Sequence, residues 1–524
     1  MAIAAPRGAV LRAATAALLC SCVDKPVVPP ASVPAAAPDV VEFRNRIAAL
    51  ERTEPTSPAI LNARLDYADL LIAPGAGACG PGLDLAQFQV DLVARNPATE
   101  VMFPDGWGRA ADVEYRIHLA RSSCSTESSV RARELQLAIE AAQRAGRSYG
   151  DAFDYEPMAI AQFNVASAYR AGGRDTDAIQ ALETAIRMDR EFGLREDAQD
   201  NYATLLDWRR QPAGPGEVAQ LMNDFPSRST TLEFLWPASD ATVTITRTHA
   251  RVIDEKVIHA QGARTLERQV RAGDDGWLVS YSALVGPFDL GVWPRESAGP
   301  QGPPGAFRPT LLEFPSFALT YSGDFKAVTD LAAFASRVTG DVEAAIRERA
   351  PKGRRISSLI NTELRSAEVS FAPQVIANEV SENYNLETAM WIGATLEQGI
   401  HYELIAPMSI PAAPQIVVDH HLDFSFTREV PCMNGTPTRT CVELVIRATP
   451  LEEELTTVLH NFQLPDGEAF RYSATTTVRI VTDPQTLQNY VHDTRRYWYV
   501  SLSARTPYRV VMESERSVLS STYR

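Results

Sequence analysis

The spacing of the apolar residues changes once along this chain of 524 residues, near Asp224–Ser227, and this change limits the folds open to it. Before it, apolar residues recur with the helical period, as in Val130–Ala145, which is typical of amphipathic helices. After it, they alternate with polar residues, as in Thr242–Thr246, which is typical of half-buried strands. The sequence therefore predicts a multidomain protein, with an N-terminal all-α domain at 40–225 and an α+β domain with a mainly antiparallel sheet at 226–524.

The order of elements within the second domain supports the α+β prediction. Strands come first, and a Gly- and Pro-rich segment at 286–308 is typical of an internal loop. Helical patterns follow at Val328–Arg349 and Ser366–Ile392, and alternating strands resume at His401. This order predicts helices packed on one face of the sheet.

One strand of this domain shows the alternation most clearly. One face carries apolar residues and a histidine: Val418, His420, Leu422, Phe424 and Phe426. The other face carries polar residues: Asp419, His421, Asp423, Ser425 and Thr427. We expect His420 to be buried and hydrogen-bonded, and the polar face to be solvated, as one face of an antiparallel sheet usually is.

A metal site is the alternative interpretation of that polar face. Carboxylate and imidazole groups at alternate positions of a strand project to the same side and could bind zinc or manganese. The ligands would be Asp419, His421 and Asp423, joined by His401 or His460. We favour the solvated face, so no metal and no cofactor is predicted.

Length and charge exclude some classes of protein. A chain this long exceeds what one hydrophobic core supports, which predicts two or three domains. The formal net charge of −15 disfavours nucleic acid and anionic lipid headgroups as partners and favours basic or neutral ones.

Four cysteines lie beyond the N-terminal segment: Cys79, Cys124, Cys432 and Cys441. The last two bracket a turn-rich loop between alternating strands, which suits a hairpin disulfide Cys432–Cys441. The remaining two would form Cys79–Cys124 in the N-terminal half. Zinc is the rival interpretation, but no Cys-x-x-Cys pair or nearby histidine supports it. Two disulfides indicate an oxidising compartment.

The N-terminus has the pattern of an export signal. Arg7 and Arg12 are followed by the short apolar run Ala13–Leu19, which is too short to span a bilayer. The run ends in Leu19–Cys22, which resembles the lipobox of bacterial lipoproteins. The alternative is a plain signal peptide that contains two cysteines.

The lipobox resemblance implies a processing step and a location. Residues 1–21 would be removed as a signal peptide, and Cys22 would be lipidated as the first residue of the mature chain. The segment 22–39 is rich in Pro and Ala and is typical of an extended tether. Because Val23 and Asp24 follow the cysteine, the resemblance implies an outer-membrane lipoprotein that faces the periplasm and reaches the membrane through its lipid anchor.

Part of the helical region resembles a tetratricopeptide repeat. The stretch Phe163–Arg187 has the small, aromatic and turn residues of that repeat at matching positions: Ala166, Tyr169, Gly173, Ala178, Leu182 and Ala185. Small residues let two helices approach closely, and larger ones fill the gap between them. Asp175 departs from the pattern, and no proline closes the repeat after Met188. A generic helical bundle is the alternative.

The sequence contains none of the common catalytic motifs that would indicate an enzyme. The sequence contains no Gly-x-Ser-x-Gly, Ser-x-x-Lys, His-Glu-x-x-His or phosphate-loop motif, so an enzyme is not favoured. The segment Trp391–Tyr402 resembles a motif of uncharacterised bacterial envelope proteins, and this resemblance implies no activity.

Two classes of function therefore compete. The first is a lipid-anchored, non-catalytic interaction module whose helical repeats bind a protein or peptide. The second is a carrier or receptor for an apolar ligand such as a lipid in the C-terminal sheet, which would show a cavity of about 300 Å³ or more. The second rests on the apolar side chains Phe424, Phe426, Tyr472, Val478, Trp498 and Val500. A hydrolase of envelope polymers is a further alternative.

Overall fold

The computed structural model describes most of the helical region and most strands of the sheet. The described residues are 38–53, 58–72, 79–94, 106–233, 241–253, 256–273, 276–294, 312–314, 317–325, 393–410, 413–432, 440–451, 471–485, 489–501 and 509–523. The predicted signal peptide, Cys22, and the two helical patterns at 328–349 and 366–392 lie outside the described residues.

Nine helices precede the sheet in the described part of the chain. They are α1 (Pro38–Thr53), α2 (Pro58–Ile72), α3 (Pro81–Ala94), α4 (Gly106–Cys124), α5 (Ser128–Asp151), α6 (Tyr155–Ala171), α7 (Asp175–Phe192), α8 (Arg195–Trp208) and α9 (Pro215–Met222). Four of them begin at a proline, whose missing N–H is unneeded in the first turn and whose fixed φ suits a helix. None of these described helices is long and apolar enough to cross a bilayer.

The hairpin of α6 and α7 is packed by the small residues singled out in the sequence. The side chains of Ala166, Ala178 and Leu182 have no exposed surface and lie in one apolar cluster. Tyr169 is half-buried against the same cluster. Gly173 has a φ of 72°, a left-handed conformation that favours glycine, in the turn between the helices. Ala185 is also completely buried.

Thirteen strands are described. They are β1 (Ser229–Thr231), β2 (Ala241–Ile253), β3 (Lys256–Gly273), β4 (Gly276–Pro294), β5 (Leu312–Phe314), β6 (Phe317–Phe325), β7 (Thr395–Glu397), β8 (His401–Ile410), β9 (Ala413–Pro431), β10 (Thr440–Pro450), β11 (Arg471–Thr482), β12 (Asn489–Ser501) and β13 (Arg509–Tyr523). Strand β4 continues to Pro294, so the loop predicted to begin at residue 286 begins later.

Eleven of the described strands form one antiparallel sheet in the order β5-β4-β3-β2-β13-β12-β11-β10-β9-β8, with β6 also paired to β4. From β2 to β4 and from β8 to β13, strands that follow one another along the chain pair with one another, β5 and β6 both pair with β4, and the last strand, β13, returns to pair with β2. Strands β1 and β7 form a separate two-stranded ribbon. The predicted fold class, helices followed by a domain with a mainly antiparallel sheet, is confirmed.

Strand β9 is buried on its apolar face. Phe424 and Phe426 are completely buried there with Leu444 of β10 and Ile480 of β11. His420 is also buried, and its Nδ1 lies 2.9 Å from the carbonyl oxygen of Val418, as expected for a satisfied core histidine.

Both predicted disulfides are present. Cys79–Cys124 links the segment just before α3 to the end of α4, with the Cα atoms 5.4 Å apart. Cys432–Cys441 closes the connection between β9 and β10, with the Cα atoms 4.9 Å apart. Each distance is within the range that a disulfide spans without backbone movement.

Candidate functional site

The polar face of strands β9–β12 is covered in part by the helical region. Two helix-to-helix turns reach it, the turn between α5 and α6 and the turn between α7 and α8. The prediction of a wholly solvated face is therefore wrong where these turns sit, since Ser425 and Thr427 are both buried. We call this contact the junction.

Aromatic rings of the two turns lie against arginines of the sheet. The ring of Phe153 has the guanidinium of Arg479 at 5.5 Å and that of Arg495 at 4.4 Å. The rings of Tyr155 and Phe192 stack with their centroids 4.3 Å apart. Cation–π contacts of this kind are strongest where water is excluded.

Glu443 of β10 is completely buried at the centre of the junction. Its carboxylate accepts hydrogen bonds from Arg479 at 3.0 and 2.7 Å, from Arg428 at 3.2 Å and from the Tyr155 hydroxyl at 2.7 Å. Burial by itself would raise the pKa of Glu443, but the two arginines and these hydrogen bonds outweigh it, so its pKa lies below the usual value. The carboxylate is therefore held in its charged form.

The backbones of the two regions approach closely at a pair of glycines. Gly193, after α7, and Gly399, before β8, have φ values of 75° and 76°. A Cβ atom added to Gly399 would lie 2.4 Å from the carbonyl oxygen of Gly193, so no side chain fits there. Gln398 spans the same gap, because its amide donates to the carbonyl oxygens of Glu191 and Thr427.

A small pocket of about 50 Å³ lies beside the junction. Two of its lining residues, His401 and Asp423, belong to the alternative metal site that the sequence suggests. The Nδ1 atom of His401 lies 2.8 Å from Asp423 Oδ1, and this hydrogen bond raises the pKa of the imidazole despite partial burial. The structure therefore brings these two residues together as an ion pair.

The other proposed ligands are placed differently. His421 lies with its Nε2 atom 3.5 Å from Glu403, and His460 is outside the described residues. Within the described ranges, no three side chains of His, Cys, Asp or Glu are grouped closely enough to hold a metal ion.

A second polar cluster crosses the helical region. It consists of side chains on α2, α4 and α6 that are linked to one another, and we call it the polar row: Asn62, Asp66, Asp69, Arg109, Asp112, Arg116 and Asn164. The three helices are neighbours, with α4 packed between α2 and α6. The row therefore consists of two linked groups, one around Arg109 and one around Arg116, and the Arg109 charge also acts on Asp69 of the second group.

Two arginines of α4 connect the polar row. Arg109 donates to Asn62 at 2.6 Å and pairs with Asp66. Arg116 lies 2.8 Å from Asp69 and 3.2 Å from Asp112. Burial raises the pKa of Asp69, and the positive charges of Arg116 and Arg109 oppose this shift.

The polar row continues to α6 and stays partly open to solvent. The Asn164 amide donates to Asp112 at 3.0 Å. The charged side chains of the row keep between 26% and 38% of their surface exposed. Partly exposed groups with fixed partners are pre-organised to bind another polar surface.

Sequence reasoning missed both clusters, although each has a local signal. Glu443 is a single charged residue in the apolar run Cys441–Ile446. The polar residues of α2 recur at helical spacing, at positions 62, 66 and 69. Neither signal identifies the partner residues, which lie far away in the sequence.

Comparisons with known proteins yield little. No protein-family model matches the chain, and no curated protein sequence does. A solved structure titled "Lipid-protein interactions in lipovitellin" is 8% identical with a TM-score of 0.24, and the match covers 54% of this chain and 25% of that one. The β domain of the Bordetella autotransporter BrkA is 6% identical with a TM-score of 0.12, and the match covers 53% of this chain and 99% of that one. These TM-scores are too low to bear on fold or function.

Proposed function

We propose that this protein is a lipid-anchored cell-envelope protein that acts as a non-catalytic interaction module, with the helical array as its binding surface for a protein or peptide. The polar row is the observation that carries this proposal. Its charged groups are partly exposed, already paired and held on two packed helices, α2 and α4, which is the arrangement expected of a binding surface rather than of a core.

The charge of the polar row narrows the class of partner. Three carboxylates, on Asp66, Asp69 and Asp112, face two guanidinium groups, on Arg109 and Arg116. Such a surface offers acceptors and donors side by side and suits a polar peptide segment. The acidic charge of the whole chain favours a neutral or basic partner over an acidic one.

The junction supports the same function. Because Tyr155 donates to Glu443, Arg428 pairs with Glu191 and Arg447 pairs with Asp154, contacts between side chains hold the helical array at a defined orientation on the sheet. The proposed anchor at Cys22 and the Pro- and Ala-rich tether would place this surface away from the outer membrane, in the periplasm.

The described part of the sheet gives the carrier alternative no specific support. Phe424, Phe426 and Val478 pack together in one apolar cluster, and the side chains of Tyr472, Trp498 and Val500 lie outside the described residues. The junction pocket, at about 50 Å³, is far smaller than the roughly 300 Å³ of a typical ligand site.

Site-specific photo-crosslinking in intact cells tests the proposal. A photoreactive side chain at Asp66 should capture a partner protein, and one at Glu140, an exposed position on α5, should not. Arg116→Gln should reduce capture by about tenfold, since it removes charged hydrogen-bonding groups from the polar row.

Arg144→Gln is the matched control. It removes an arginine that pairs with Glu114 at 2.8 Å, outside the polar row. Equal capture from positions 66 and 140, or equal loss in the two arginine variants, would contradict the proposal. Turnover of an envelope polymer by the purified chain would favour the hydrolase instead.

A further inference from the structure

We propose that two copies of this chain associate through strand β8, by antiparallel pairing of β8 with the β8 strand of the second copy. This surface is separate from the polar row and does not depend on the function proposed for it. Strand β8 stands at one end of the sheet, and among the described strands only β9 pairs with it. Its outer edge therefore carries backbone groups for which the described strands provide no partner.

The hydrogen bonds of β9 show which residues of β8 have backbone groups on this outer edge. The carbonyl oxygen of Asp419 accepts from the residue that follows β10, whereas that of Phe426 accepts from Gly399, just before β8. Because backbone groups alternate sides along a strand, the even-numbered residues of β9 bond to β8. Each of them pairs with an even-numbered residue of β8, so the odd-numbered residues of His401–Ser409 direct their N–H and C=O groups outward.

The position of Pro407 agrees with this assignment. Proline has no N–H to donate, and Pro407 is one of the odd-numbered residues, whose backbone groups do not bond to β9. A proline is tolerated in a strand when its nitrogen lies on the free side of an edge. The outer edge of β8 therefore offers donors at every odd position except this one.

One face of β8 is exposed and includes an isolated apolar side chain. The residues of this face are all exposed: His401, Glu403, Ile405 and Pro407. Ile405 keeps 59% of its surface exposed, more than any other large apolar residue in the described part of the chain. A large exposed apolar side chain on an edge strand is typical of a surface that pairs with another strand.

The opposite face of β8 continues the apolar core of the sheet. Tyr402 and Leu404 are half-buried and pack against the cluster that contains Phe424, and Ala406 and Met408 are half-buried as well. A strand added at this edge therefore needs alternate apolar residues on the same face, and β8 itself has them. A two-fold axis perpendicular to the sheet keeps like faces of the two β8 strands on the same side, so each copy extends the apolar face of the other.

The residues of β8 favour one register of this pairing. A register centred on Glu403 sets two carboxylates opposite each other, and one centred on Pro407 lacks both N–H donors at the axis. A register centred on Ile405 sets the two exposed isoleucines against each other and keeps the two copies of Glu403 apart. In this register His401 lies opposite Ser409, so the strand is paired over almost its whole length.

Sedimentation equilibrium of the purified full-length chain in detergent solution tests the inference. One strand from each copy makes a small interface, so we expect a dimer with a Kd of about 1–100 μM. The dimer should be the largest species, because a two-fold contact uses the same edge of both copies and closes the assembly. A chain that stays monomeric up to about 1 mM would overturn the inference.

Matched lysine substitutions locate the contact at β8. Ile405→Lys sets two ammonium groups against each other at the axis and should weaken dimerisation by at least about tenfold. Val417→Lys is the control, because Val417 is 53% exposed on the same sheet but belongs to β9, away from the edge. Circular dichroism should show both variants folded, since each change is at an exposed position. An unchanged Kd in Ile405→Lys, or an equal loss in the two variants, would overturn the inference.

Cysteine cross-linking in intact cells tests the register. Ile405→Cys should form a disulfide between two copies, because residues opposite each other in a hydrogen-bonded pair have Cα atoms about 5.5 Å apart. Glu403→Cys is the control, because its two copies would lie four positions out of step, about 13 Å apart along the strands. Cross-linking of Ile405→Cys alone supports the inference, whereas equal cross-linking of both variants, or none in either, would overturn it.

Discussion

The Tyr155 hydroxyl donates a 2.7 Å hydrogen bond to the buried Glu443 carboxylate across 288 positions of the chain, and this bond ties the start of α6 to strand β10. Through it, the helical region and the sheet share one charged cluster. The stability of both regions depends on how buried charges in the helices and at this junction are compensated.

Removing one partner of this bond should weaken the junction. Tyr155→Phe should lower the free energy of unfolding by about 1–2 kcal/mol, because a hydrogen bond to a buried charge is lost while the ring stacking remains. Glu443→Ala should cost about 3–5 kcal/mol, because it leaves Arg479 and Arg428 without their shared carboxylate. Urea unfolding of the two variants measures both losses of unfolding free energy. Tyr202→Phe, which removes a 3.1 Å hydrogen bond with Arg190 within the helices, is the control for the tyrosine variant.

Acid should destabilise the protein through Glu443. Since its folded pKa lies below the usual 4.5, its contribution to stability is present above pH 4.5 and is lost as the pH falls through the folded pKa. Glu443→Gln should therefore show a shallower loss of unfolding free energy on acidification than the parent chain. A parallel pH dependence in the two proteins would show that Glu443 carries none of the effect.

His118 should give a pH dependence of the opposite sign. Its Nδ1 atom lies 2.7 Å from Glu134, and its hydrogen bonds to Glu134 and Glu114 outweigh burial and raise its pKa above 6.5. The stabilisation is complete below pH 6.5 and is lost as the pH rises through the folded pKa. His118→Gln should remove this slope from the unfolding free energy. His401→Gln is the comparison, and it should have a smaller effect because 53% of that side chain is exposed.

The two disulfides should contribute unequally to stability. Cys79–Cys124 closes a separation of 45 residues and Cys432–Cys441 one of 9, and a longer loop loses more entropy in the unfolded chain. Replacing Cys79 and Cys124 by serine should lower the free energy of unfolding by about 3–4 kcal/mol. Replacing Cys432 and Cys441 by serine should lower it by less, because that disulfide closes the shorter loop. Urea unfolding of the two double variants gives the order, and a larger loss for the shorter loop would contradict the entropic argument.

The lipid anchor is tested by one substitution. Cys22→Ser should release the chain from the membrane fraction into the soluble periplasmic fraction, since the prediction assigns membrane attachment to the lipid alone. Mass spectrometry of the parent's N-terminal peptide should show acyl groups on Cys22. Cys20→Ser is the matched control and should stay membrane-bound. Unchanged fractionation of Cys22→Ser, with no acyl mass on the parent, would exclude a lipoprotein.

The sequence by itself determined the elements that depend on neighbouring residues. The helical period before residue 225 and the alternation in β9 predict helices and strands correctly, because each pattern records which side of a local element is buried. The pairing of the four cysteines was also predictable, since Cys432 and Cys441 flank one hairpin and leave only one partner for Cys79. These features need no knowledge of how distant segments meet.

Only the tertiary structure decided the two polar clusters and the pocket. In the sequence, Glu443 is one charged residue of an apolar strand. Its partners Tyr155 and Arg479 belong to other elements of the chain, and only the fold brings them to it. Likewise, Arg109 of α4 meets Asp66 of α2 only because these helices pack as neighbours. Side-chain periodicity shows which residues face inward, but the partner of a buried charge depends on how helix ends and strands dock, and that information is not local.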